Sequence, residues 1–272
     1  MRILALIVVV IAPGLGPAQG EPLPAGTVRG RVTWAGEKPA VLPLPAALPS
    51  GPGYKASERP NPFAPQISTD GGLGGVVVSL AGVKPDNVGK SRRPPWPPVT
   101  VVHDDFRIRV KQGDGEPAGV GLVWAGDEVT VVSKEPVPAS VRFRGAAYFT
   151  LPFPDANKPL RRKLDQPGWV ELSSGSLFYW AAADLLVADH PYHAVTDANG
   201  RFELTNVPPG KYELIVRVRD WRVAGVDRDP ETGLIYRQRY KPERFFKQAV
   251  TVPAGGAAEV TVPVPAADFQ GR

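Results

Sequence analysis

Apolar and polar residues alternate along much of this chain in short runs, the pattern of strands with one buried face. The clearest run is Tyr212, Leu214, Val216 and Val218, whose shared face is apolar, while Glu213, Arg217 and Arg219 are expected to meet water. Comparable runs predict strands at Thr27 to Trp34, Gly75 to Leu80, Val99 to Val102, Arg107 to Val110, Gly119 to Trp124 and Glu128 to Ser133. Further strands are predicted at Trp169 to Leu172, Asp184 to Val187, Arg201 to Leu204, Tyr212 to Val218 and Ala258 to Val264. No helical period is sustained, and 32 prolines and 29 glycines interrupt the runs. The prediction is an all-β chain of sheets packed face to face as sandwiches.

Length and composition narrow the picture further. A chain of 272 residues suits two domains of ordinary size, each able to bury its own core. With no cysteine, disulfides, thiolate metal sites, cysteine nucleophiles and iron–sulfur clusters are excluded. The net charge of +5 comes from basic residues interleaved with acidic ones, whereas a nucleic-acid footprint is a clustered basic face. Nucleic acid is therefore not an expected partner, while acidic polysaccharide or an anionic membrane stays open. At the start, Arg2 precedes the apolar run Ile3 to Ala12, Pro13 and small residues through Gly20, the layout of a secretory signal peptide over residues 1–20. That run is too short to span a bilayer. The expectation is an exported chain, periplasmic or at the cell surface, with no transmembrane segment once the leader is removed. Residues 36–70 carry Leu42-Pro43-Leu44-Pro45 and Arg59-Pro60-Asn61-Pro62 and are expected to form an irregular Pro-rich wrap. Ser91 to Pro98, with Arg92, Arg93 and Trp96, reads as a loop whose Trp packs down.

One stretch has a sharper logic. Asp197-Ala198-Asn199-Gly200 predicts a tight turn with a positive φ at Gly200, after which Phe202 and Leu204 return to one face. Pro208-Pro209-Gly210 predicts the next turn, and Tyr212 and Leu214 start the following strand. This run resembles the carboxypeptidase regulatory-like family, which implies a transthyretin-like β-sandwich over residues 189–265, with an insertion at Val223 to Arg244 and a C-terminal tail at 266–272. Upstream, Gly72 to Leu80, Gly126 to Ser133 and Tyr179-Trp180 through Val187 resemble, in that order, the strands and ligand loop of a cupredoxin of the methylamine-utilisation-like kind. The resemblance implies a Greek-key cupredoxin-like sandwich over residues 21–188, followed by the smaller one.

A type 1 copper site needs two imidazoles and a thiolate. By the resemblance, the first His position falls on Ala139, and the Cys-x-x-His-x-Trp-Met pattern falls on Gly175 to Ala181, where only Trp180 survives. Ala139, Gly175, Phe178 and Ala181 offer no ligand, so no cofactor is expected and Phe178 with its neighbours is expected to fill the position as core.

Other chemistry is sparse. His190 and His193, with Asp189 or Asp197, are the best remaining candidates for a nitrogen–oxygen metal site. Tyr192 beside them is a weaker pointer to iron chemistry, and His103 in His103-Asp104-Asp105 is expected to be exposed. Asp155, Asp165 and Glu171 have no spacing that pairs them as acid and base, and Ser173 to Ser176 have no activating base. Asp229 to Gly233 reads as a turn rather than a calcium loop. Trp221, Arg222, Arg228, Tyr236, Arg237, Arg239 and Tyr240 are the candidate contact residues, since aromatic faces stack on sugar rings and Arg bridges carboxylates. The expectation is a non-catalytic protein with a binding or structural role at the cell envelope, its partner a polysaccharide or an envelope protein. Two alternatives stand beside it: an accessory or catalytic unit acting on acidic polysaccharide, and a divergent metalloprotein using His190 and His193.

Overall fold

The computed structural model describes residues 23–50, 52–83, 96–175 and 178–270. The expected signal peptide, together with Arg92, Arg93, Ser176 and Leu177, lies outside the described residues. In chain order the strands are β1 (Gly26–Ala35), β2 (Leu44–Ser50), β3 (Gly53–Arg59), β4 (Gln66–Ile67), β5 (Leu73–Gly74), β6 (Val77–Ala81), β7 (Val99–Asp104) and β8 (Arg107–Gln112). There follow β9 (Val120–Trp124), β10 (Asp127–Ser133), β11 (Ala139–Gly145), β12 (Phe149–Phe153), β13 (Leu160–Leu164), β14 (Gly168–Ser174) and β15 (Ala182–Ala188). The last are β16 (His193–Val195), β17 (Arg201–Val207), β18 (Gly210–Val218), β19 (Val223–Arg228), β20 (Ile235–Tyr240), β21 (Arg244–Val252) and β22 (Ala257–Pro265).

The all-β expectation holds, and four sheets stack face to face. Sheet β17-β1-β22 packs on sheet β16-β6-β18-β21 to make an outer sandwich. Sheet β12-β11-β14-β15-β9 packs on sheet β13-β10-β7-β8 to make the other. The second lies within the first along the chain, entered after β6 and left before β16. The linear division expected at residue 188 is therefore corrected. β1 pairs in parallel with β22 from Thr27↔Ala257 to Ala35↔Pro265, and β6 pairs with β18 from Glu213↔Ala81 to Arg217↔Val77. Both belong to the outer sandwich, including the Gly-led strand that the cupredoxin resemblance had assigned elsewhere.

Alternation explains the outer core. Val78 and Leu80 on β6, Leu214 and Val216 on β18, and Val28 and Val32 on β1 point inward and are almost wholly buried. Each such side chain contributes about 1.5–3 kcal/mol relative to exposure. The turn at Asp197 forms as expected. Its Oδ1 accepts the amides of Asn199 and Arg201, both at 2.8 Å, and Gly200 has φ +76°. A Cβ at Gly200 would stand 2.2 Å from the Val32 carbonyl oxygen, so the close approach requires glycine. The residues expected as a tail instead form a 3-10 turn, Ala266–Phe269, whose Phe269 ring stacks on Trp221 at 5.0 Å in the core. Within the Pro-rich wrap, β2 and β3 pair as a hairpin, where Pro45 and Pro49 cost no sheet bond on a two-stranded ribbon.

The opposite face of the β6–β18 sheet does not meet water as the alternation had implied. Val77 of that sheet packs with Val120 and Leu122 of β9 and Leu186 and Ala188 of β15 in a third apolar cluster between the sandwiches. β15 is buried along its whole length, Ala183, Leu185 and Val187 serving the inner core and Leu186 and Ala188 the docking face. Arg217, expected in solvent, is 7% exposed. Its Nη1 lies 3.0 Å from Asp184 on β15, and its guanidinium carbon stands 3.5 Å from the centre of the Trp169 ring. Removing one partner of such a pair strands the other charge. Asp184→Ala should therefore lower stability by about 3 kcal/mol, read as a fall in the urea midpoint, and Asp184→Leu combined with Arg217→Met should recover most of it. A single variant within about 0.5 kcal/mol of wild type would show that the pair does not hold the sandwiches together.

Candidate functional site

The chain passes from the inserted sandwich back to the outer one through the turn between β15 and β16, and this turn gathers Asp189, His190 and His193. One ligand atom from each lies within 4.8 Å of the others. The two imidazole rings stack with centroids 4.1 Å apart and planes 22° from parallel. His193 opens β16 opposite Ser79 of β6, whose hydroxyl lies 2.6 Å from Nδ1. His190 Nδ1 accepts the Tyr192 amide at 3.3 Å. Burial, with His190 alongside, pushes His193 down to about 3, and burial also holds His190 below the usual histidine range. Both rings are thus neutral near pH 7, the form that ligates metals. Asp197, the alternative ligand, is taken up by its own turn. Tyr192 is a core residue, 1% exposed, donating its hydroxyl to the Asn206 carbonyl at 3.1 Å, which removes it from any metal role.

The positions read as vacated copper ligands do converge, at one end of the inserted sandwich. The Gly175 amide bonds to the Ser140 carbonyl at 3.0 Å, next to Ala139, and the Ala181 amide bonds to the Phe178 carbonyl at 2.8 Å. The Phe178 ring fills the space between Phe106, at 4.8 Å, and Trp180, at 5.6 Å. A side chain at Gly175 would begin 2.3 Å from Ser140 Oγ, so the end is closed by packing as well as by composition. Against Phe178 stands His103, 0% exposed rather than in solvent. The reason is the alternation of β7, which turns Val99, Val101 and His103 inward together. Its Nε2 is 3.8 Å from Oε1 of buried Glu135, which accepts the Phe106 amide at 2.6 Å.

The candidate contact residues divide. Trp221 is core, stacked on Phe269, and Arg222 is clamped to buried Asp220 at 2.6 Å. Tyr240 meets the Phe63 ring edge-on at 4.8 Å. Arg237 reaches across to Glu171 of β14 at 3.5 Å. Tyr236 and Arg239 are exposed on the ribbon of β19 and β20, where Arg239 also pairs with Asp227 at 2.9 Å, and Arg228 caps the Gly233 carbonyl at 2.9 Å. Asp229 makes the expected turn, accepting the amides of Glu231 and Thr232. Nearby, Arg217, Arg219 and Arg237 face Asp184, Glu171 and Glu243, three cations against three carboxylates, and of these Asp184, Arg217 and Arg219 line a cleft between the sandwiches. Burial pushes the Tyr240 hydroxyl above the usual tyrosine range, which disfavours it as a base.

Compared with known proteins, the sequence matches no protein-family model and no curated protein. Among solved structures it is similar to a methionine-to-alanine variant of amicyanin in the Cu(I) form, at 14% identity and a TM-score of 0.26, over 41% of this chain and 98% of that one.

Sequence reasoning missed Ser79, Glu135 and the Asp184–Arg217 pair, all joined to their partners by tertiary contact alone. The alternation of β7 did carry the signal for His103. Burial pushes His103 down to about 4, below its ordinary 6.5, so the unfolded chain takes up a proton first as pH falls. Stability is then lost between pH 6.5 and about 4, by on the order of 3 kcal/mol. Glu135, raised by burial, acts in the opposite sense, since its share is lost as pH rises through its folded value. His103→Leu should flatten the acid limb of the urea midpoint plotted against pH. An unchanged limb would assign acid sensitivity to other groups.

Proposed function

We propose that the protein is an exported, non-catalytic scaffold of the cell envelope that binds an acidic polysaccharide through the β19–β20 ribbon. The observation that carries this reading is the ribbon itself: it belongs to no larger sheet and presents Tyr236 and Arg239 outward. An aromatic face can stack on a sugar ring while a guanidinium meets its carboxylate. Several features support the non-catalytic part. The cupredoxin-like ligand positions are filled with Ala139, Gly175, Phe178 and Ala181, and Phe178 and Ala181 belong to a buried core. Asp155 pairs with Lys158 and Asp165 with Lys163, while Glu171 faces Arg219 and Arg237. Asp155, Asp165 and Glu171 are not paired with one another as acid and base, and where Glu171 stands opposite Asp184 across β14 and β15 the two share Arg219 as a counterion. The export part rests on the apolar N-terminal run alone.

The test is calorimetric titration of the purified mature chain with polygalacturonate and, as control, a neutral glucan. Binding to the first, weakened roughly tenfold in Tyr236→Ala with Arg239→Ala and reduced by salt, is the expected result. Binding unchanged in the double variant would move the surface elsewhere, and no binding to any envelope polysaccharide would end the reading. Breakdown of the polymer during the titration would instead favour a catalytic unit.

A further inference from the structure

We propose that Asp189, His190 and His193 form a binding site for a borderline divalent transition metal cation of the Zn2+ class, placed where the chain returns from the inserted sandwich to the outer one. The donor set is two imidazole nitrogens and a carboxylate oxygen, the ligand types that zinc takes in three-ligand sites with one position left open. Their ligand atoms already lie within 4.8 Å of one another. Bonds of about 2.0–2.2 Å place two donors on one ion some 3–4 Å apart, so a modest swing of His190 and Asp189 closes the set. Asp189 is exposed and His190 only partly buried, so both have room to move.

The site is also prepared behind its ligands. With the Ser79 hydroxyl accepting from Nδ1–H, His193 keeps an unprotonated Nε2 for an ion. The Tyr192 amide, by contrast, donates to Nδ1 of His190 at 3.3 Å and must give up that contact as His190 swings in, freeing Nδ1 for the ion or moving the ring proton onto it. A partner on the far nitrogen fixes tautomer and ring orientation, as it does in metal sites generally. Trp96 flanks His193 at 6.1 Å and shields that side. The Asp189 carboxylate is in no ion pair with a Lys or Arg among the described residues, so it is not already taken up by a cation. The bound ion would join the end of β15 to the start of β16, and through Ser79 to β6.

The site is separate from the ribbon, so loss of polysaccharide binding leaves this inference untouched. The test uses the full mature chain without a histidine tag, stripped with chelator and titrated with zinc chloride by calorimetry, alongside thermal unfolding. About one ion per chain, with a rise in the unfolding midpoint, is expected. His190→Ala and Asp189→Asn should each weaken binding by roughly tenfold or more while leaving the metal-free unfolding midpoint near wild type. His193→Gln should do the same, and if it fails to fold the other two positions still decide the matter. Absence of binding at about 100 µM zinc, or binding that survives His190→Ala and Asp189→Asn, overturns the proposal.

Discussion

A guanidinium and a carboxylate taken out of water must compensate each other, and Arg217 and Asp184 do so across the boundary between the two sandwiches. Everything on either side is arranged to make that burial tolerable. The Trp169 ring covers the guanidinium, Glu243 reaches its Nε at 3.4 Å, and Arg219 approaches the same Asp184 oxygen at 3.3 Å. Around this polar centre lie Val77, Val120, Leu122, Leu186 and Ala188, which exclude water but impose no direction. The apolar contacts supply adhesion, and the ion pair supplies register, because a one-residue slip of β15 would turn Asp184 into the inner core and Leu185 toward Arg217. The same register delivers the end of β15 to the turn that carries His190.

Much of the architecture was legible because period-two alternation is a local property. Val99, Val101 and His103, or Leu214, Val216 and Val218, declare which way a strand faces whatever lies opposite. The turn at Asp197 was legible for the same reason, since its hydrogen bonds and the positive φ of Gly200 are settled within a few residues. Partners of strands are a different matter. Thr27 to Trp34 alternates equally well for either sandwich, and its parallel partner β22 lies at the other end of the chain. Nothing in either segment names the other.

The same limit explains the errors at the site. Arg217 occupies the polar phase of β18 and Arg219 follows just past its end, and polar positions are ordinarily wet. That face is covered because a second sheet docks on it, which no pattern within β18 can reveal. His103 was misread for the converse reason: two following aspartates suggested exposure, although the inward valines Val99 and Val101 set its direction. His190 and His193 were visible as a pair, but Ser79, which orients one of them, stands more than a hundred residues earlier in the chain.

The nesting of one sandwich inside the other imposes an order on assembly. β6 waits for β16 and β18 until the whole insertion has been made, and β1 has no parallel neighbour until β22 appears. Closing such long loops is entropically slow unless the intervening chain has already condensed. The inserted sandwich, whose strands are contiguous, can condense first and draw its two ends together, as Trp96 on the inward path and His193 on the outward path now lie side by side. The inner module thus serves as a template for the outer one. The parallel seam between β1 and β22, the first and last of the described strands, is the last to close.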